Sequence, residues 1–393
     1  MASTEITPIS DATFGVEWSL LLAACSVHSN HEQQDDLRPL RRNPVSWKSV
    51  LDLADRHGTL PLLHQVLANR SQEVPAETLL LLKQRHQINL HKSLFLAREL
   101  IRILDRLAQW GIEALPYKGV TLAEQMYGDM SLRPAGDIDL LIRPEDLSRI
   151  KQAVGELGYT PHDHLSSAEE RAYLQSGYEC AFDSQAGRNL LEVQWAIQPH
   201  FYAVDYDMQA LFRRAVTVSV EGHAMNTPSP EDQLLILSIH AAKHVWGRLI
   251  WLCDIARILQ LPTLNWKWID DEANALGIAR ILRVTLLLTN RFLGAPLPAL
   301  LEAHVAGDQQ AVRLAEKVNA QIVSGNSCDV ESLAYFRLMM HLRERGADQI
   351  RFLQRLALTP GPGEWQAVRL PAPLFPLYRL VRLSRLAARL ARA

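Results

Sequence analysis

Apolar positions in the first 110 residues recur at helical spacing. The clearest run is Ala76–Trp110, where Leu79, Leu82, His86, Leu90, Leu94, Ala97, Ile101, Leu104 and Leu107 share a periodic face. Gly111 follows in the position where helices commonly stop. The pattern then changes. Short runs with strand character stand at Ile112–Tyr117, Asp137–Ile142, Tyr178–Asp183, Leu190–Ile197 and Val216–Val220, with helical stretches at Val120–Tyr127 and Glu145–Leu157 between them. Strand, helix, strand, helix and further strands predict a small α/β or α+β domain. After Thr227 the helical pattern returns. Ser229 can cap a helix, Pro230 suits its first position and Asp232 can complete a capping box. Helices are expected over Glu231–Arg248, Trp251–Gln260, Ala279–Leu293 and in pieces to Leu358. Thr359-Pro360-Gly361-Pro362-Gly363 then breaks the pattern ahead of a basic tail. The expected organisation is a helical region over 1–110, a core over 111–227, a helical domain over 228–358, and a linker with an amphipathic tail over 359–393.

Composition narrows the class. At 393 residues, 48% hydrophobic and 21% charged, the chain can bury a large core in two or three domains. Lys and Arg total 41 against 43 Asp and Glu, a net charge of −2, which argues against nucleic-acid binding over the whole surface but leaves a local basic patch open. The four cysteines (Cys25, Cys180, Cys253, Cys328) form no CxxC motif, which fits a reducing compartment, and the cytoplasm is expected. No apolar run approaches the roughly 18–20 residues of a membrane span. Leu22-Ala23-Ala24-Cys25 has the form of a lipoprotein cleavage box, yet the first Lys or Arg is Arg38, so a buried helix over Val16–Cys25 is expected instead.

Candidate chemistry concentrates in Leu115-Pro116-Tyr117-Lys118-Gly119 and in Arg133-Pro134-Ala135-Gly136-Asp137-Ile138-Asp139-Leu140-Leu141-Ile142. Residues two apart on a strand point the same way, so Asp137 and Asp139 present two carboxylates on one face while Ile138 and Leu140 face the core. Crowded like charges need a cation, and hard oxygen ligands favour Mg²⁺ or Mn²⁺ over zinc. The tripeptide by itself also fits loop capping or solvated surface. Gly119 at a strand–helix turn would let backbone N–H groups approach phosphates. Glu192, flanked by apolar residues in Leu190-Leu191-Glu192-Val193-Gln194-Trp195, offers a third carboxylate, with Asp183 and Glu179 as alternatives.

With these motifs the chain resembles the polymerase-β-like nucleotidyltransferase superfamily. It is more closely similar to the bacterial uncharacterised nucleotidyltransferases, marked by Lys-Gly, then Arg, then Asp-Ile-Asp-Leu-Leu. The resemblance implies an α+β fold with a small mixed-sheet core between N- and C-terminal helical regions. It carries Gly119 onto the turn glycine, Asp137 and Asp139 onto the metal pair and Glu192 onto the third carboxylate, with an NTP, ATP first, as substrate. Two departures stand out: Lys118-Gly119 replaces the usual Gly-Ser, and the segment from Gly119 to Asp137 is long. Lys118 and Arg133 would then neutralise phosphate. The implied acceptor is open: a sugar phosphate, a protein, a peptide or RNA. A scaffold protein of a membrane-linked envelope or exopolysaccharide pathway is the competing reading, favoured by the missing hydroxyl at the turn.

Two further features stand outside the core. His240-Ala241-Ala242-Lys243-His244 lacks the glutamate of the zinc-protease motif. His240, His244, Arg248 and Trp251, with Lys243 adjacent, fit either a basic face over a triphosphate or a helix–helix contact. Asp254 reads as structural, capping or paired with Arg257, and His162 and His164 as a polar loop. In the tail, Arg379, Arg382, Arg385, Arg389 and Arg392 recur beside Leu380, Leu383, Leu386 and Leu390, with no acidic residue after Glu364. Such a helix suits an anionic membrane surface, peripheral to the inner membrane, or a protein partner, or it packs with its arginines in water.

Overall fold

The computed structural model describes residues 14–26, 44–68, 70, 72–163, 165–185, 187, 189–325, 329 and 332–390. His164, Cys328 and Arg392 lie outside the described residues. Three helices open the described chain: α1 (Val16–Cys25), α2 (Trp47–His57) and α3 (Leu60–Leu67). The expected buried helix is α1, with Leu20, Leu21, Ala23, Ala24 and Cys25 all inside. Helix α4 (Ala76–Gln109) is the long helix read from the sequence, but of the expected face only Leu82, Ala97 and Leu107 are fully buried, and Leu96, Leu100 and Ile103 complete the buried stripe.

The core follows as β1 (Leu115–Pro116), α5 (Gly119–Tyr127), β2 (Ile138–Leu141), α6 (Leu147–Gly155), β3 (Tyr159–Pro161), α7 (Ser167–Ser176), β4 (Glu179–Ser184) and β5 (Leu190–Gln194). These strands form one mixed sheet in the order β1-β2-β5-β4-β3, with β2 and β5 parallel and the other neighbours antiparallel. Strand alternation divides its faces. Ile138, Leu140, Leu191, Val193 and Phe182 pack with the stripe of α4 and with Ile150 and Val154 of α6. The opposite face carries Asp139, Glu192, Gln194 and Glu179, brought side by side by the register Asp139↔Glu192 and Gln194↔Glu179.

Several boundaries differ from the sequence reading. The strand expected over Ile112–Tyr117 shrinks to two residues, because the Ile112 N–H closes the end of α4 on Leu107 O (2.9 Å) and Pro116 has no N–H to donate. Helix α8 (Met208–Arg213) intervenes after β5. The expected strand β6 (Val216–Val220) pairs with β7 (His223–Thr227) in a separate hairpin rather than joining the five-stranded sheet.

Beyond the hairpin come α9 (Pro230–Lys243), α10 (Leu249–Leu259), α11 (Trp266–Leu276), α12 (Ala279–Leu293), α13 (Ala299–Gly307), α14 (Gln309–Ser324), α15 (Leu333–His341) and α16 (Gly346–Leu358). Ser229 caps α9 as expected, accepting from the Asp232 N–H at 3.2 Å. Asp232 itself does not complete the box; its buried carboxylate accepts from Arg214 and Tyr206. Helix α9 stops at Lys243, five residues before the expected end at Arg248, because Val245 (φ 53°) and Trp246 (φ 49°) turn left-handed. Burial of Trp246, with its indole N–H on Thr285 Oγ1 at 3.0 Å, holds that costly turn. One apolar core runs through α1, α2, α3, α9, α10, α12 and α14.

The chain ends in α17 (Pro362–Ala367) and α18 (Tyr378–Leu390). The tail packs on the protein with Arg379 exposed but with Arg382 and Arg385 turned onto it. Arg382 donates to Leu356 O at 3.0 Å and Arg385 to Glu364 at 3.0 Å, whereas Leu380 and Leu383 are 62% and 41% exposed. Among the described residues no helix is long and apolar enough to cross a membrane.

Candidate active site

The polar sheet face, the turn before α5, the last turn of α9 and the start of α10 enclose a cleft of about 460 Å³. Lys118, Gly119, Arg133, Asp137, Asp139, Glu192, His240, Lys243 and His244 all line it. Of the alternative third carboxylates, Glu179 also lines the cleft. Asp183 does not; it pairs with exposed His162 at 3.0 Å.

Gly119 begins α5 at φ +55°, and a Cβ there would stand 3.4 Å from Asp137 O. The turn that brings a helix N-terminus next to the Asp pair therefore requires glycine. Lys118 Nζ lies 3.1 Å from Asp139 Oδ1 and 4.6 Å from the Tyr117 ring. Burial opposes the lysine charge, but Asp139 and Tyr117 outweigh it and hold the pKa above the ordinary lysine range. Burial pushes the Glu192 carboxyl up to about 8, aided by Asp139, Glu179 and Asp137. Burial and then Asp139 also raise Asp137. The carboxylates therefore lack sufficient counter-charge.

Gln194, which the sequence reading passed over, ties this group together. Its Nε2 lies 3.3 Å from Asp139, 3.3 Å from Glu192 and 3.4 Å from Glu179. The Tyr117 hydroxyl donates to its Oε1 at 2.6 Å and so fixes which end of the amide faces the carboxylates. Alternation from Glu192 puts Gln194 on the same strand face, and that was the available signal.

The other sequence candidates divide. Arg133 lines the cleft, but its guanidinium forks onto buried Asp254 at 2.8 and 3.0 Å, where the Tyr127 hydroxyl also donates at 2.8 Å. Asp254 thus pairs with Arg133 rather than Arg257, and together they pin the loop before β2 to α10. Arg257 lies over the Tyr127 ring instead. His240, His244 and Trp251 form an aromatic cluster with centroids 4.8–5.3 Å apart. Burial lowers both histidines, and nearby lysines lower them further, so at neutral pH they are uncharged. The expected basic face therefore owes its charge to Lys243 and Arg248. Lys243 donates to the Tyr178 hydroxyl at 2.7 Å.

Among the described residues no group of three or more His, Cys, Asp and Glu is gathered as a ready metal site. Gln194 bridges the carboxylates instead, and Lys118 pairs with Asp139. The donor chemistry nonetheless fits a hard divalent cation: the carboxylates offer oxygen ligands, and Asp137 and Glu192 are disfavoured as anions by burial and then by Asp139.

No curated protein and no solved structure is significantly similar to the chain. The turn glycine, the Asp-Ile-Asp strand and its parallel partner all fall within residues 43–294, which match a family described as uncharacterised nucleotidyltransferases. The chain belongs to that nucleotidyltransferase family.

Proposed function

We propose that this transferase moves a nucleoside monophosphate from an NTP, ATP first, to an acceptor hydroxyl in a reaction dependent on Mg²⁺ or Mn²⁺. The observation that carries the proposal is the register that sets Glu192 beside Asp139 on the polar sheet face, next to the Gly119 turn. Asp137, Asp139 and Glu192 would hold the metal, which would supply positive charge against the triphosphate. Backbone N–H groups at the start of α5 would orient a phosphate, and Lys118 would neutralise one. The acceptor oxygen bonds to the α-phosphorus as the bond to the bridging oxygen breaks. Pyrophosphate would leave with that electron pair, and Glu192, beside Asp139 on the sheet face, would take the hydroxyl proton. Neutral His240 and His244 would add hydrogen bonds rather than charge. Arg133 would act through loop position, its fork being committed to Asp254.

The test is incubation with each NTP labelled at the α-phosphate, Mg²⁺ and cell extract, followed by a search for transferred label. Label transfer that disappears in Asp139→Asn supports the reading. Absence of both transfer and Mg²⁺-dependent NTP binding in the wild type would refute it.

A further inference from the structure

A second chamber of about 440 Å³ adjoins the cleft, and Tyr178, Lys243 and His244 line both. The end of the chain builds one side of the second chamber, with Gly361, Glu364, Arg382 and Arg385 on its wall. Tyr173, Phe201 and Phe336 supply flat apolar faces. It holds an excess of cations, whereas in the first cleft Lys118, Arg133, Lys243 and Arg248 balance four carboxylates. Lys243, Arg382 and Arg385 face a single carboxylate, Glu364, which lies 3.0 Å from Arg385 and 3.5 Å from Arg382. The first cleft instead crowds Asp137, Asp139, Glu179 and Glu192 together.

This division separates two ligands. Aromatic faces suit the apolar face of a sugar ring, and an excess of cations suits a phosphate. A volume near 440 Å³ is that of a small-molecule site and excludes a folded protein domain. Lys243 and Tyr178, bonded to each other at 2.7 Å, stand at the junction with the carboxylates.

We propose that this chamber holds the acceptor and that the acceptor is a small sugar phosphate. Its phosphate faces Arg382 and Arg385, and a hydroxyl reaches past Lys243 toward Glu192. The inference rests on the nucleotidyl-transfer reading and adds the acceptor class to it. It also gives the C-terminal helix a place in the site: Arg382 and Arg385, drawn inward by Glu364, line the wall of the chamber.

The experiment is calorimetric titration of the full chain with glucose 6-phosphate and ribose 5-phosphate, and separately with ATP and Mg²⁺. Arg385→Gln should weaken sugar-phosphate binding at least about tenfold. Gly361→Phe should abolish it by filling the chamber. This second variant should fold, because Gly361 is extended (φ −142°) and no heavy atom lies within 4 Å of its Cβ position. Both variants should bind ATP with Mg²⁺ as the wild type does. Sugar-phosphate binding unaffected in both variants, or absent from the wild type, overturns the proposal. So does a loss of ATP affinity in Gly361→Phe, which would place the nucleotide there, or label transferred to RNA or protein instead of sugar phosphate. Failure of ATP with Mg²⁺ to bind the wild type refutes the transfer reading itself and with it the acceptor role.

Discussion

Replacing Lys118 with Met asks what the lysine does before a substrate arrives. Its ammonium and the Asp139 carboxylate are 3.1 Å apart, with side chains only 12% and 4% exposed. Removing one partner of a buried pair leaves an uncompensated charge, and such losses cost about 3–5 kcal/mol. Asp139 also shares Gln194 with Glu192, so the orphaned charge falls where carboxylates already crowd. Urea unfolding without metal should therefore show Lys118→Met less stable by about that amount. Millimolar Mg²⁺ should restore more stability to this variant than it adds to the wild type, where the ammonium competes for Asp139. Lys118→Met with Asp139→Asn should be less destabilised than the sum of the single variants, since the orphaned charge is gone. ATP affinity should fall roughly 10- to 150-fold in Lys118→Met if the lysine also meets phosphate. Equal Mg²⁺ effects in both proteins, with ATP affinity intact, would show the lysine to be structural and refute the reasoning.

ATP with Mg²⁺ should raise the wild-type melting temperature by mass action, and Asp137→Asn and Asp139→Asn should lose the metal-dependent part of that shift. Arg133→Ala, expected from sequence to weaken nucleotide binding in an intact fold, should instead destabilise the protein by about 3–5 kcal/mol because it strands fully buried Asp254, a loss measurable by urea unfolding. His57 is buried, its Nδ1 accepts the Leu249 N–H at 3.2 Å, and burial followed by Arg56 and Arg248 lowers its pKa to about 4. The unfolded chain therefore takes up this proton first, so stability should fall as pH drops from about 6.5 to 4; His57→Asn should remove up to about 3 kcal/mol of that dependence in unfolding curves against pH. Leu380→Glu with Leu383→Glu should leave the melting temperature unchanged, because both leucines are exposed, and should abolish sedimentation with anionic vesicles if this face meets lipid.

What the sequence determined by itself was local. The 3.6-residue period of Ala76–Gln109, the Ser229 cap on the Asp232 N–H and the alternation of Ile138, Asp139 and Leu140 need only neighbours in the chain, and each element formed where its own residues dictated. The Asp pair, the turn glycine and Glu192 were legible for the same reason: their chemistry is written in short motifs. Tertiary structure decided everything that depends on distant partners. No local signal places Asp254 against Arg133, 121 residues away, or aims Tyr117 at Gln194 across 77 residues. No local signal ends α9 at Lys243, because that turn is held by burial of Trp246 against Thr285 on another helix. The charge of His240 was likewise beyond local signals, since desolvation belongs to the assembled cleft and not to the side chain. The tail shows the division most plainly. Its arginine and leucine spacing predicted an amphipathic helix, but buried Glu364 decided which face turned inward.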